Sequence, residues 1–321
     1  MKKILTLLLA LWMLTGCVAM AAGNQLVVGS TTAMSGAFFT DLFGSNTADI
    51  DVRALLHGYN LMSWDHETGT YQINDSVVAG MAVSKDAQNN RVYTFDLYGD
   101  LKFSDGSAIT AKDYAFSILL TASPELAKLG GQSAAVGAIL GMDAYQSGKS
   151  SVLRGVRLLS DTQMSITISK AYEPYFYEMA LFDYSPYPIS VLAPGCKVVD
   201  TEKGVGIVNA SGTGTAIFTA GLLQKTILDA ATGYMSHPSV VSGPYTLTSY
   251  DAQRGTASFA INPYYKGNED GEKPTIETIV YRTVVNDEAI DLLLSGEVDL
   301  LNKMVAADTI SKGIQSTADQ P

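Results

Sequence analysis

Leu101-Lys-Phe-Ser-Asp-Gly-Ser-Ala-Ile-Thr-Ala-Lys-Asp-Tyr-Ala-Phe-Ser117 carries a turn, a helix start and a helix face in one short stretch. Asp105-Gly106 is a turn, because aspartate bonds its own backbone and glycine accepts the left-handed conformation. Thr110-Ala-Lys-Asp113 is a capping box, and Phe116, Leu119 and Leu120 fall on one face of the helix it opens. Just upstream, Tyr93, Phe95 and Leu97 alternate with Thr94, Asp96 and Tyr98, the period of a half-buried antiparallel strand. Lying between that strand and a capped helix, Asp105 reads as turn chemistry rather than as a catalytic acid.

Outward from this unit the pattern stays mixed. Toward the N-terminus, Leu26–Ser30 reads as a buried strand, Thr31 to Phe39 as a Gly/Ser/Phe-rich loop, and Thr47 to His57 as a short helix with Asp49 and Asp51 in its first turn. Short strands follow at 61–64, 71–73 and 77–83. Toward the C-terminus, Ser123-Pro124-Glu125 starts a helix with proline where its missing donor costs nothing. A hairpin follows over 155–169, then a short aromatic helix from Glu173-Pro174 to about Phe182. Residues 195–239 have weak periodicity and clustered Gly, Ser and Thr. Strands return at 245–250, 257–262 and 276–283, and a helix from about Asp287 to Ser295 precedes Gly296-Glu-Val-Asp299. There is no internal repeat, and the sum is a mixed α and β chain with many antiparallel strands.

The chain has 321 residues, 47% of them hydrophobic and 17% charged, with a net charge of −11. That length admits more than one domain, the apolar content excludes disorder, and the acidic balance argues against nucleic acid or an anionic lipid face as partner. At the N-terminus Lys2 and Lys3 precede an apolar run, Ile4 to Met13, and then Leu14-Thr15-Gly16-Cys17. The run is short for a mature membrane span and reads as a removable export signal. It resembles a bacterial lipoprotein signal, which implies cleavage before Cys17, lipidation of that residue, and a tether over 17–24. Cleavage after Ala19-Met20-Ala21 is the alternative and would release an unanchored protein. With Cys17 lipidated, Cys196 has no intramolecular partner, so no disulfide framework is expected.

Catalytic and metal-binding patterns are missing. His57, His66 and His237 show neither helical pairing nor a Cys-x-x-Cys companion. There is no Gly-x-Ser-x-Gly or Ser-x-x-Lys, and Gly212-Thr-Gly214 lacks the Gly-Lys of a phosphate loop. Asn268-Glu-Asp-Gly-Glu272 reads as a solvated acidic turn rather than a calcium loop. Of the aromatic residues between Tyr172 and Tyr187, those from Tyr175 to Phe182 are expected in a core. Tyr184 and Tyr187, in a proline-containing loop, are open to either core or cleft. The Thr31–Phe39 loop is either a connection or a cleft wall.

Four stretches together resemble the family-five extracellular solute-binding proteins, the dipeptide and oligopeptide receptors of ABC importers. Leu101–Ser117 is similar to that family's Phe-x-Asp-Gly-x-x-Leu-Thr-Ala-x-Asp-Val-x-Phe-Ser signature. Tyr145-Gln-Ser-Gly148, Gly155-Val156 and the strand to Ser169 match the end of its small domain. Ser242-Gly-Pro-Tyr-Thr-Leu247 and Asn262-Pro-Tyr-Tyr-Lys-Gly267 resemble its Thr-Gly-Pro-Tyr and Asn-Pro-x-Tyr elements. Pro274 to Val284 with Ser295-Gly-Glu-Val-Asp299 resembles its hinge-proximal strand and helix.

The resemblance implies an α/β fold of the type II periplasmic-binding-protein kind, two-lobed with a small inserted domain. Domain I would comprise residues 24–60 and 183–303, and domain II residues 61–182. Residues 304–321 would begin domain III or form a disordered tail, leaving the second lobe largely missing. The implied function is capture of a peptide or similar small solute outside the cell and delivery to an ABC permease, without catalysis or cofactor. A lipid-anchored sensory or scaffold protein is the alternative. Expected ligand contacts are Thr32, Met34, Ser35 and Phe38 in the first loop, with Tyr184 opposite. The expected location is the outer face of the cytoplasmic membrane, with lipid as the sole anchor.

Overall fold

The computed structural model describes residues 24–318 except 45, 133–136, 174, 176 and 269; the signal and Cys17 lie outside the described residues. In chain order the strands are β1 (Gln25–Ser30), β2 (Met62–Asp65), β3 (Thr70–Ile73), β4 (Val78–Lys85), β5 (Arg91–Leu97), β6 (Val152–Leu153), β7 (Val156–Leu158), β8 (Gln163–Ile168), β9 (Cys196–Thr201), β10 (Gly204–Asn209), β11 (Tyr245–Asp251), β12 (Thr256–Ile261), β13 (Thr278–Thr283) and β14 (Leu300–Asn302). No helix among the described residues is long and apolar enough to cross a membrane.

The larger sheet has the order β11-β12-β13-β1-β14, with β1 parallel to both neighbours and β11, β12 and β13 antiparallel in succession. An interior parallel strand is covered on both faces, which is why Leu26-Val-Val-Gly-Ser30 is a nearly continuous apolar run rather than an alternating one. The helix Thr47–Leu56 packs against this sheet. Asn46 caps it by accepting from the Asp49 N–H, and Val52 and Leu56 are fully buried in a core with Val28, Phe259 and Tyr281.

The smaller unit is built on β4-β5-β8-β7, all antiparallel. Tyr93, Phe95 and Leu97 point into its core, as their alternation requires, and the helix Ala111–Thr121 lies buried with Phe116, Leu119 and Leu120 beside them. The Asp113 carboxylate accepts from the Thr110 N–H at 2.8 Å and from the Thr110 hydroxyl at 2.9 Å, so both groups of the cap meet one side chain. Asp105 accepts from the Ser107 N–H at 2.9 Å, which is turn chemistry.

Two elements differ from expectation. First, β9 and β10 form a hairpin in the stretch without clear periodicity, and β10 pairs with β6. Arg157 Nε lies 2.9 Å from the Asp200 carboxylate, and Leu192, Val198, Val205 and Leu223 join the small-unit core. The expected boundary at 183 is therefore crossed by strand pairing, and residues 189–235 pack with the small unit. Second, the aromatic segment forms two 3-10 turns, Lys170–Tyr172 and Glu178–Phe182, instead of one helix, with Pro174 and Phe176 outside the described residues. Phe182 is buried, but Tyr175 and Tyr177 are 45% and 56% exposed, because irregular backbone does not carry the helical period that would turn them inward. Ala307–Ala318, within the stretch expected either to begin domain III or to form a disordered tail, is helical. It packs on the helix Asn286–Leu294, where the Lys312 ammonium meets Asp291 at 2.8 Å and the Thr309 hydroxyl donates to the Asn286 carbonyl.

Candidate functional site

Residues 31–44 leave β1 and pass between the two cores. Alternate side chains of an extended segment face opposite ways. Accordingly Phe38 is fully buried in the large-sheet core, edge-on to Tyr250 with ring centroids 4.7 Å apart, whereas Ala37 and Phe39 join the small-unit core. Phe39 sits edge-on to Tyr187 at 4.7 Å and to Tyr234 at 4.9 Å. The loop is thus a seam rather than a free connection.

A single helix edge holds it there. Positions 46, 49, 53 and 57 are spaced by three or four and share one face of the helix and its flanks. Asn46 Nδ2 donates to the Ala33 carbonyl at 2.8 Å, and Asp49 accepts from the Ser35 N–H at 2.9 Å and its hydroxyl at 2.6 Å. Arg53 Nη1 donates to the Ala37 carbonyl at 2.8 Å, and His57 Nε2 lies 2.9 Å from the Phe38 carbonyl. On the opposite side the Phe38 N–H donates to the Met235 carbonyl and the Ser236 hydroxyl to that of Gly36, both at 2.9 Å. Crowding by protein lowers the His57 pKa to about 4, with the Phe38 carbonyl opposing the shift and Arg53 adding to it.

Two hollows flank this seam. One, about 390 Å3, is open and lined by Ser35, Phe43, Asn46 and Met235 among others. The other, about 170 Å3, lies between Thr40-Asp41-Leu42, the helix residues Ser117 and Thr121, and the segment Asp183-Tyr184-Ser185 with Tyr187. In it, burial pushes the Tyr184 hydroxyl up to about 12, with the Asp183 charge adding, and raises that of Tyr187 further. Asp183 stays open to solvent as a residue, yet protein crowding around its carboxyl raises its pKa, opposed by a 2.6 Å hydrogen bond from Asn60 Nδ2. A larger hollow, about 440 Å3, lies on the small unit beside Tyr145 and Phe218 and includes none of the expected contacts.

Of the expected ligand contacts, Met34 and Phe38 are packing residues, 8% and 0% exposed, because the seam turns them into the large-sheet core. The Ser35 hydroxyl is engaged by Asp49, although the residue borders the open hollow. The Thr32 N–H and carbonyl both bond the Ser30 hydroxyl, and its own hydroxyl lies 3.4 Å from that of Thr47. Tyr184 lines the smaller hollow, apart from Ser35. Asp41, Asn60 and Asp183 escape sequence reasoning because only the fold assembles them. The helix from Thr47 to His57 is legible in the sequence, but the loop that its edge clamps is not. Among the described residues no three His, Cys, Asp or Glu side chains are placed to hold a metal.

The chain thus joins a mixed sheet and an antiparallel unit along a clamped crossing loop. The chain belongs to the bacterial extracellular solute-binding proteins, family 5, whose middle-region model matches residues 76–319. Oligopeptide-binding protein OppA of Lactococcus lactis subsp. lactis strain IL1403 is 27% identical over 233 residues, covering 71% of this chain and 32% of the relative. The periplasmic oligopeptide-binding protein OppA of Escherichia coli K12 is 33% identical over 111 residues, 34% of this chain and 20% of the relative. Among solved structures, lactococcal OppA complexed with an endogenous peptide in the closed conformation aligns with a TM-score of 0.61 at 20% identity, over 88% of this chain and 46% of that one. The periplasmic EDTA-binding protein EppA aligns with a TM-score of 0.58 at 16% identity, over 90% and 45%. The chain therefore spans about a third of the first curated relative and about half of the solved structures. The two-lobed α/β fold class is that of these structures.

Proposed function

We propose that this chain captures a small solute, a peptide foremost, in the cell envelope and delivers it to an ABC permease, anchored by lipid at Cys17. The observation that carries this is the first loop, pinned between two hydrophobic cores by backbone bonds on both sides and bordered by two hollows. A wall fixed in that way does not reorganise when ligand arrives, which lowers the cost of binding. Several relatives are oligopeptide-binding proteins by name, and one solved relative holds a peptide. The domain organisation we propose is a large unit around the β11-β12-β13-β1-β14 sheet and an inserted small unit to which residues 189–235 are added.

Calorimetric titration of the chain with a mixed library of short peptides tests the binding reading. Saturable heat and a raised melting temperature are expected, and neither appearing at millimolar peptide would overturn it. For the anchor, labelled palmitate should enter the wild-type protein and not Cys17→Ala; label retained by that variant would refute lipidation at Cys17.

A further inference from the structure

No further inference is drawn: the strongest candidate, the hollow of about 440 Å3 on the small unit beside Tyr145 and Phe218, has its polar side chains Ser123, Tyr145, Ser150 and Asn209 engaged by the protein's own backbone, and nothing in the structure shows what fills it.

Discussion

His57 shows how one side chain can couple loop placement to pH. Its ring is hemmed by Phe39, Tyr187 and Tyr234 and holds the Phe38 carbonyl. With the folded pKa lowered from 6.5 to about 4, the unfolded chain takes up a proton that the folded chain refuses. The contribution of neutral His57 is complete above pH 6.5 and is lost as the pH falls toward 4, by at most about 3 kcal/mol for a ring that keeps an exposed edge. Asp113 acts in the opposite sense. Its burial raises the carboxyl to about 6, so its contribution is complete below 3.8 and is lost as the pH rises through 6. The wild-type melting curve therefore conceals both. His57→Gln preserves a donor for the Phe38 carbonyl and removes the titration, so its stability relative to wild type should improve steadily from pH 6.5 to 4. Chemical denaturation at four pH values measures this, and parallel profiles would show that His57 is not held neutral by its surroundings.

The β9–β10 hairpin illustrates an element that backbone proximity dictates. Gly204 has φ +129°, and a Cβ there would lie 2.3 Å from the Leu153 carbonyl oxygen of β6, an approach that only glycine permits. Gly212 is also left-handed, at φ +76°, but a Cβ there would meet nothing within 4 Å. Alanine at both positions separates strain from clash. Gly212→Ala should cost on the order of 1 kcal/mol from backbone strain alone. Gly204→Ala should exceed that by at least about 2 kcal/mol, since rigid backbone stands in the way. Urea denaturation of the two variants checks the difference, and equal costs would mean that β10 does not press on β6 as described.

Across the whole molecule, two cores meet along the first loop, and the small-unit core recruits residues well beyond the inserted segment. Limited thermolysin digestion should leave a protected body reaching from about residue 61 to about 240. Any nick in the exposed stretch 211–216 should leave the pieces associated, because Val205, Leu223 and Ile227 are fully buried on either side of it. A stable fragment ending near 182 would restore the narrower inserted domain. Toward the C-terminus the surface is of a different kind: Val305, between the edge strand β14 and the helix Ala307–Ala318, is 84% exposed, and Ile314 on that helix is 66% exposed.

Local signals were enough wherever residues near in sequence meet one another. Alternation in β5, the Thr110–Asp113 cap, the Asp105 turn and the helix after β1 are all written in short-range patterns, because each depends on contacts a few residues apart. The family signature depends on the same local elements. The pairing of β10 with β6, the inward turn of Met34 and Phe38, and the meeting of Asp41, Asn60 and Asp183 are of another kind. Those groups are separated by tens to more than a hundred residues, and their encounter follows from how two cores pack around one loop. A side chain's face on an irregular loop has no period to reveal it, so packing alone decided that the expected contacts Met34 and Phe38 became core.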